Sequence, residues 1–410
     1  MADVRTVRGT HDLVGEDMQR HRHVTGTALE IAERYGFGEI STPIFEFTEI
    51  FARSLGDTSD VVSKEMYTFE DRGGDSLTLR PENTAGVARA VISGGLLQSP
   101  PLKLFYSGPM FRYERPQKGR MRQFHQIGVE VIGSPDAKAD IEVIALGWQI
   151  LEALGVNDGI TVEINSLGDP ESRNAYREKL VGYFSGYKAK LSADSQTRLT
   201  RNPLRILDSK DEGDREIVAG APPLGESMND ASRDFFARVQ DGLGALDIAF
   251  THNRNLVRGL DYYTHTAFEF TTDRLGAQSA VLAGGRYDGL MKQIGGPDTP
   301  GVGWASGIER LALLLQGAPE RPRPVAIVPI GPAAEAEAEK LAFELRRAGH
   351  IIELAYKGKP GQRMKKADRA NARLAITIGD DELARGVVKL RDLDKGEERE
   401  VMRAGLPAAI

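Results

Sequence analysis

The stretch Arg112–Gly133, RYERPQKGRMRQFHQIGVEVIG, decides how the larger part of the chain is read. Leu104–Glu114 and Phe124–Ile132 are rich in aromatic and branched residues, and the intervening RPQKGRMR carries Pro116 and Gly119, so the assignment is strand, turn, strand. The loop holds four positive charges, Arg115, Lys118, Arg120 and Arg122. Strand side chains alternate faces, so Phe124, Gln126, Gly128 and Glu130 share one side: a flat ring, an amide, a gap and a carboxylate. That face offers a platform for adenine and polar readers beside a basic loop aimed at phosphate. The same residues also allow a solvated basic hairpin over an ordinary core face, and the choice falls to the rest of the chain. His125 points to the opposite side, which favours a structural role.

A length of 410 residues exceeds one typical core and predicts two or three domains. Apolar residues make up 40% and charged residues 27%, as in globular proteins. No apolar run reaches the ~18 residues of a membrane span, and the polar start MADVRTVRGTHDLVGED lacks a signal-peptide pattern. The expected location is the cytoplasm. The chain has no cysteine, which excludes disulfides and thiolate metal sites. His21 and His23, two residues apart, point to different sides of a helix, so no metal site held by the protein alone is expected. Residues 321–410 contain 18 Lys and Arg against 14 Asp and Glu, a surplus of four, which leaves residues 1–320 ten negative. The basic portion is compatible with nucleic-acid binding and with a solvated surface alike.

After an extended arm bearing RGTHD, residues 17–35 carry Val24, Ala28, Ile31, Ala32 and Tyr35 at helical spacing, closed by Gly36. Further helices are expected at 85–93 and 139–154, then the strand TVEINSLG. From about 169 to 245 the sequence is charged, mostly helical and interrupted by Pro203, Pro222 and Pro223, an inserted helical subdomain. Strands resume at Leu256–Thr272, and GAPERPRP at 317–324 is the linker candidate. Beyond it PVAIVPIG, a helix at 333–348, IIELAY, a basic helix near 361–373, LAITIG and VVKLRDL predict a small α/β domain with a largely parallel sheet. Lys365, Lys366, Arg369 and Arg373 recur on one side of that basic helix, as a solvated face or an RNA contact.

No GxxxxGK[ST] occurs, and GVGWASG at 301–307 has the wrong spacing for a dinucleotide fingerprint. Phosphate handling falls instead to arginines in separate segments, Arg112, Arg120, Arg258 and Arg310, whose permanent charge and forked donors suit phosphate oxygens. Tyr262 and Tyr263 read on their own as core aromatics of a strand, and Gly284, Gly285 and Gly303 as turn glycines or points of close approach to a nucleotide.

The combination is more specific than its parts. RGTHD at 8–12, TPIFE at 42–46, LRPENTAGVAR at 79–89, FRYERPQKGRMRQFHQIGVEVIG at 111–133, LVRGLDYYTHTAFEF at 256–270, AGGRYDGL at 283–290 and GVGWASGIERL at 301–311 resemble, nearly end to end and in order, the bacterial histidyl-tRNA synthetase family of class II enzymes. The resemblance implies an α+β catalytic domain, an antiparallel six-stranded sheet flanked by helices, over 1–320 with the helical insertion. It further implies an α/β anticodon-binding domain over 325–410 and a homodimer, with Pro43 in the dimer-forming motif. The implied activity is histidine–tRNA ligation: L-histidine and ATP, with Mg2+, give histidyl-adenylate, and histidine then passes to the 3′ end of tRNA(His).

Carried over residue by residue, the resemblance assigns Arg112 to the ATP α-phosphate and the histidine carboxylate, Arg120 to the γ-phosphate, Phe124 to adenine, and Glu114 and Arg310 to the nucleotide. Glu82 and Thr84, aided by Gln126, match positions that hold the α-ammonium; Glu130 and Tyr263 match those that bond the two imidazole nitrogens, and Tyr262 walls the pocket. Arg258 matches the family's catalytic arginine. Asn83, also placed in the histidine site, stands where a glycine is expected after Glu82. Arg115, Gln117, Lys118 and Arg122 are placed for the tRNA acceptor stem. Two alternatives share the fold. A histidine-sensing regulatory subunit of ATP phosphoribosyltransferase lacks the C-terminal domain and usually loses pieces of LVRGLDYYT, whereas this chain keeps both; an amide ligase would not need the basic α/β tail.

Overall fold

The hairpin forms as the alternation predicts. In a computed structural model that describes residues 4–56, 61–117, 119–207, 209–257, 262–276 and 279–410, Leu102–Phe111 and Gln123–Ile132 pair antiparallel without a break, Leu102 opposite Ile132 and Phe111 opposite Gln123. The first strand stops at Phe111 rather than running to Glu114, because the Tyr113 amide leaves the ladder and donates to the Glu65 carbonyl at 2.7 Å.

Around the hairpin an eight-stranded sheet runs in the order Gly38–Glu39, Leu102–Phe111, Gln123–Ile132, Gly301–Gly307, Ala280–Arg286, Thr264–Thr271, Thr161–Ser166, Thr251–His252. The inner six strands are antiparallel throughout, the expected class II sheet, and each two-residue edge strand lies parallel to its neighbour. Two residues are too few to leave an alternation in sequence, which is why the edges escape prediction.

The pleat sorts side chains into two layers. Phe105, Ile127, Val129, Val131, Val302 and Trp304 join one core, covered by helices Gly15–Arg34, Ala137–Ala153 and Asp230–Ala245. Tyr106, Met110 and Ile132 join the other, against helices Thr48–Leu55 and Thr84–Ser93. Glu130, two residues before Ile132, belongs to this second face, as do Phe124 and Gln126. A fully buried ion pair between Arg286 and Asp140, with Asp288 at 3.1 Å, fastens the sheet to the helix of the first layer.

Between Ser166 and Thr251 the chain is helical: Pro170–Ser185, Ala193–Arg201, Glu212–Val218 and Asp230–Ala245, with no strand among the described residues there. Each long helix starts on a side-chain cap. The Asp169 carboxylate accepts from the Ser172 amide at 2.8 Å, and the Asn229 side chain from the Ser232 amide at 2.9 Å.

A separate three-stranded sheet places Ser76–Leu79 between Phe45–Phe47 and Tyr67–Glu70. Its register sets Phe45 and Tyr67 opposite Leu79, and Phe47 and Phe69 opposite Leu77, so six apolar residues share one face.

The chain divides into two compact units, Met1–Ala318 and Pro319–Ile410. The second carries a five-stranded sheet in the order Ile352–Leu354, Val325–Ile330, Leu374–Gly379, Val387–Asp392, Glu398–Met402. Only the first two of its four pairings are parallel, so the largely parallel expectation is corrected to a mixed sheet. The reason is connection length: seven residues join Gly379 to Val387, and a parallel crossover needs about a dozen. The basic helix ends at Arg369 rather than 373, broken at Asn371 with φ +52, so Arg373 is not on it. Among the described residues no helix is long and apolar enough to cross a membrane.

Candidate active site

A cavity of about 830 Å³ opens over the second face of the large sheet. Glu82, Thr84, Arg112, Glu114, Arg120, Phe124, Gln126, Tyr262, Tyr263 and Arg310, which sequence reasoning drew from distant segments, all line it. Arg258 and Lys118 lie outside the described residues.

One end is a group of guanidiniums, two of them held by backbone oxygens and one by a carboxylate. Arg112 donates through Nε to the Pro81 carbonyl at 2.9 Å and lies 5.3 Å from the Phe124 ring centre. Arg310 donates to the carbonyls of Gly119 at 3.2 Å and Ala280 at 2.7 Å. Arg120 pairs with Glu114 at 2.6 Å. The Arg310 guanidinium is pushed below its ordinary range by burial, then by Arg120 and Arg112, while Glu114 and Glu269 act in the opposite direction. Like charges gathered at a part-buried wall are costly until an anion joins them, so this end is built for a polyanion.

The other end is a buried network of carboxylates and tyrosines. Glu82 turns back to cap the helix Thr84–Ser93, accepting from the amides of Thr84 at 2.6 Å and Ala85 at 3.1 Å. Burial raises its carboxyl above the usual range, against those bonds and Arg112. Glu130 is completely buried, accepting from the Thr84 hydroxyl at 2.7 Å and the Tyr287 hydroxyl at 2.5 Å. Burial pushes its pKa up to about 8, with Tyr287 and Thr84 opposing. The Gln126 side-chain oxygen is buried at the wall and finds no hydrogen-bond partner among the described residues. Two glycines, strand residues rather than turn residues, make the room: a Cβ on Gly303 would sit 1.9 Å from Glu130 Oε2, and one on Gly285 would sit 2.8 Å from the Tyr263 ring.

Two expected histidine-site residues are placed differently. Asn83 does not line the cavity, because its Oδ1 is taken by Thr42 at 2.6 Å and Arg80 at 3.2 Å on the far side of the chain turn. Glu130 stands one layer behind the wall, between Thr84 and Tyr287, since its two oxygens are drawn to those hydroxyls. Of the loop residues placed for the acceptor stem, Arg115 and Gln117 are exposed. Arg122 is half-buried, its guanidinium 4.0 Å from the Tyr113 ring centre.

Sequence reasoning missed Tyr287, which lines the cavity and holds Glu130. It also missed the insertion's contribution, Ser209, Lys210 and Arg215 on the wall. Tyr287 lay in AGGRYDGL, whose repeated close approaches were the available signal; the insertion residues have no pattern that marks them. His125 does face away, its Nδ1 2.8 Å from Glu309 and its ring 4.7 Å from His21.

The model of the family described as histidyl-tRNA synthetase matches residues 9–168 and 190–311. The chain belongs to the histidyl-tRNA synthetase family. A second model, an anticodon-binding domain, matches residues 324–410. The chain is 63% identical over 404 residues to the histidine–tRNA ligase of Rhodospirillum rubrum, spanning 98% of this chain and 97% of the relative. It is 56% identical to that of Gluconacetobacter diazotrophicus, spanning 98% and 97%. Its fold is similar to the crystal structure of apo histidyl-tRNA synthetase from S. aureus, with a TM-score of 0.84, 36% identity and 99% of each chain covered.

Proposed function

We infer that this chain is a histidine–tRNA ligase, which activates L-histidine with ATP and transfers it to the 3′ end of tRNA(His). The observation that carries this reading beyond family membership is the division of one cavity into an arginine end and a carboxylate–tyrosine end. The regulatory-subunit alternative is not favoured, because full-length relatives named as ligases match at high identity and the C-terminal domain is present.

In this reading Phe124 stacks on adenine, Arg112 meets the α-phosphate and the histidine carboxylate, Arg120 the γ-phosphate, and Arg310, with Glu114 beside it, completes the nucleotide site. Glu82, Thr84 and the orphan oxygen of Gln126 receive the α-ammonium. Neutral imidazole has one donor and one acceptor, and Glu130 and Tyr263 read the pair, with Tyr262 as a wall. A carboxyl group, ionised or protonated, keeps bonding capacity beyond the bonds from Thr84 and Tyr287, and Gly303, which lines the cavity beside Glu130 Oε2, carries no side chain.

The histidine carboxylate is already a nucleophile, so activation needs no general base. Its oxygen bonds to the α-phosphorus as the bond to the bridging oxygen breaks, and pyrophosphate leaves with the electron pair. Arg112 and Arg258 stabilise the charge that develops; the part of Arg258 rests on the LVRGLDYYT match. In the second step the terminal ribose hydroxyl of tRNA attacks the adenylate carbonyl, an ester forms and AMP leaves. Glu114 and Glu269 on the cavity wall would hold a Mg2+ brought with the nucleotide, the one or two carboxylates such an ion takes, and the ion would supply charge neutralisation at the phosphates.

Catalysis is placed in residues 1–320, with the insertion at about 169–245, the linker at 317–324 and anticodon binding in 325–410. Arg115, Gln117, Lys118 and Arg122 serve the acceptor stem, and the place of action is the cytoplasm. The working unit is a homodimer, supported by the apolar sheet face. Phe45, Phe47 and Phe69 are 47%, 57% and 45% exposed there, beside exposed Pro43 and Ile44, a patch that a second copy would cover. Phe47→Glu is expected to give monomers in light scattering; an unchanged mass places the interface elsewhere. The reading as a whole is tested by charging: radiolabelled histidine should appear on tRNA(His) with wild-type protein and far more slowly with Arg258→Ala, and uncharged tRNA with active histidine binding would move the chain to the sensor class.

A further inference from the structure

We propose that Arg173, in the first turn of the insertion's opening helix Pro170–Ser185, is a positioning residue for the tyrosine pair at the amino-acid end of the cavity. The inference rests on the reading of that end as the histidine subsite, and it gives the helical insertion a part in choosing the amino acid.

Tyr262 and Tyr263 are buried in the core of the second sheet face. Tyr262 lines the main cavity and also a second one of about 540 Å³, between the insertion and the sheet, which Arg173 lines too. The rings are packed among core neighbours, and polar bridges to the backbone that carries them set where that backbone runs. Arg173 supplies one: its NH1 donates to the Tyr263 carbonyl at 2.9 Å. Tyr263 in turn has its ring against Gly285 and 4.6 Å from Tyr262. A shift of the carbonyl therefore moves both rings.

The anchor of that bridge is rigid. The Asp169 carboxylate, which caps the helix of Arg173, also accepts from the Asn229 amide group at 2.7 Å. The Asp169 amide donates to Ser232 Oγ at 3.1 Å, and the Asn229 amide to Ser172 Oγ at 3.0 Å. The first and last helices of the insertion thus cap each other reciprocally. The last helix reaches the same segment, with Phe235 4.7 Å from the ring of His265. His265 has φ +43, and its amide and carbonyl are held by Gly168 at 2.8 Å and Leu167 at 2.5 Å. Tyr262 to His265 is consequently clamped from the entry and exit of the insertion, with Arg173 as the contact next to the tyrosine that reads the substrate ring.

The test is histidine-dependent ATP–pyrophosphate exchange with full-length wild type, Arg173→Ala, Arg173→Lys, Arg173→Gln and Arg177→Ala, a neighbour on the same helix that donates to Arg201 O at 3.3 Å. Arg173→Ala should raise KM for histidine at least fivefold, leave KM for ATP within twofold, and narrow the preference for histidine over thiazolylalanine, whose ring lacks the N–H. Lysine or glutamine, each able to donate one bond, should restore most of the loss, and Arg177→Ala should match wild type. The proposal is overturned if a natively melting Arg173→Ala, or Arg173→Met, which likewise cannot donate, where alanine does not fold, keeps its KM for histidine or loses both substrates alike. Absence of histidine-dependent exchange in wild type itself would remove the subsite reading, and this inference with it.

Discussion

The two ends of the cavity use charge in opposite ways. At the nucleotide end Arg112 donates to the Pro81 carbonyl and Arg310 to those of Gly119 and Ala280, bonds that orient a guanidinium without cancelling its charge. At the amino-acid end the carboxylates of Glu82 and Glu130 are buried and already bonded by amides and hydroxyls. Arg286 shows the contrast within one residue type: fully buried against Asp140 and Asp288, it fastens the fold and has no charge to offer. Arg112 and Arg286 differ in what the guanidinium meets, a carbonyl and an aromatic ring at the cavity for the first and two carboxylates in the core for the second.

If that division is right, variants at the two ends should fail differently. The largest effect is expected at the nucleotide end, where Arg112→Ala should cost two to three decades in exchange rate, roughly 3–4 kcal/mol by analogy with oxyanion-type donors; a loss confined to KM for histidine would break the comparison. At the other end Glu130→Ala strands the hydroxyls of Thr84 and Tyr287, and calorimetry should show histidine affinity down about 10- to 100-fold, in line with the ~1–3 kcal/mol cost of unpaired buried groups. Unchanged affinity would refute the imidazole assignment.

Glu130 also gives a pH signature. Its folded pKa, about 8, lies above the ordinary carboxyl value because of burial. The native state therefore holds a proton that the unfolded chain has released, and stability falls as pH rises from about 4.5 through 8. Glu130→Gln should lose this slope, and chemical denaturation of both proteins at pH 5 and pH 8 checks it; parallel slopes would mean that the carboxyl ionises freely. The smallest effect on function is expected for Asn83→Gly, which removes the acceptor for Thr42 and Arg80 at a cost of about 1–3 kcal/mol in stability yet should leave histidine affinity within twofold.

The sequence was most legible where local pattern and chemistry coincide. The hairpin strands and the first helix, with Val24, Ala28 and Ile31 buried, follow from periodicity, whereas the six-stranded antiparallel sheet came from the family resemblance. The cavity's lining came from motif resemblance rather than from periodicity, since Glu82, Phe124, Tyr263 and Arg310 are distant in the chain and meet only in the fold. What stayed hidden depends on tertiary placement: Asn83 turned toward Arg80, Glu130 drawn behind the wall, and Tyr287, inside AGGRYDGL but given no role, bonded to Glu130. The mixed C-terminal sheet was misread because strand composition carries no direction, and only the short link from Gly379 to Val387 sets it.

The most direct test of the central claim is ATP–pyrophosphate exchange with each of the twenty amino acids, without tRNA, on the wild type and on Arg112→Ala and Glu130→Ala. Exchange with histidine alone, its rate lost in the first variant and its histidine preference in the second, is the predicted result. Exchange with other amino acids as readily as with histidine, or two variants with the same defect, would contradict an active site divided into a nucleotide end and an amino-acid end.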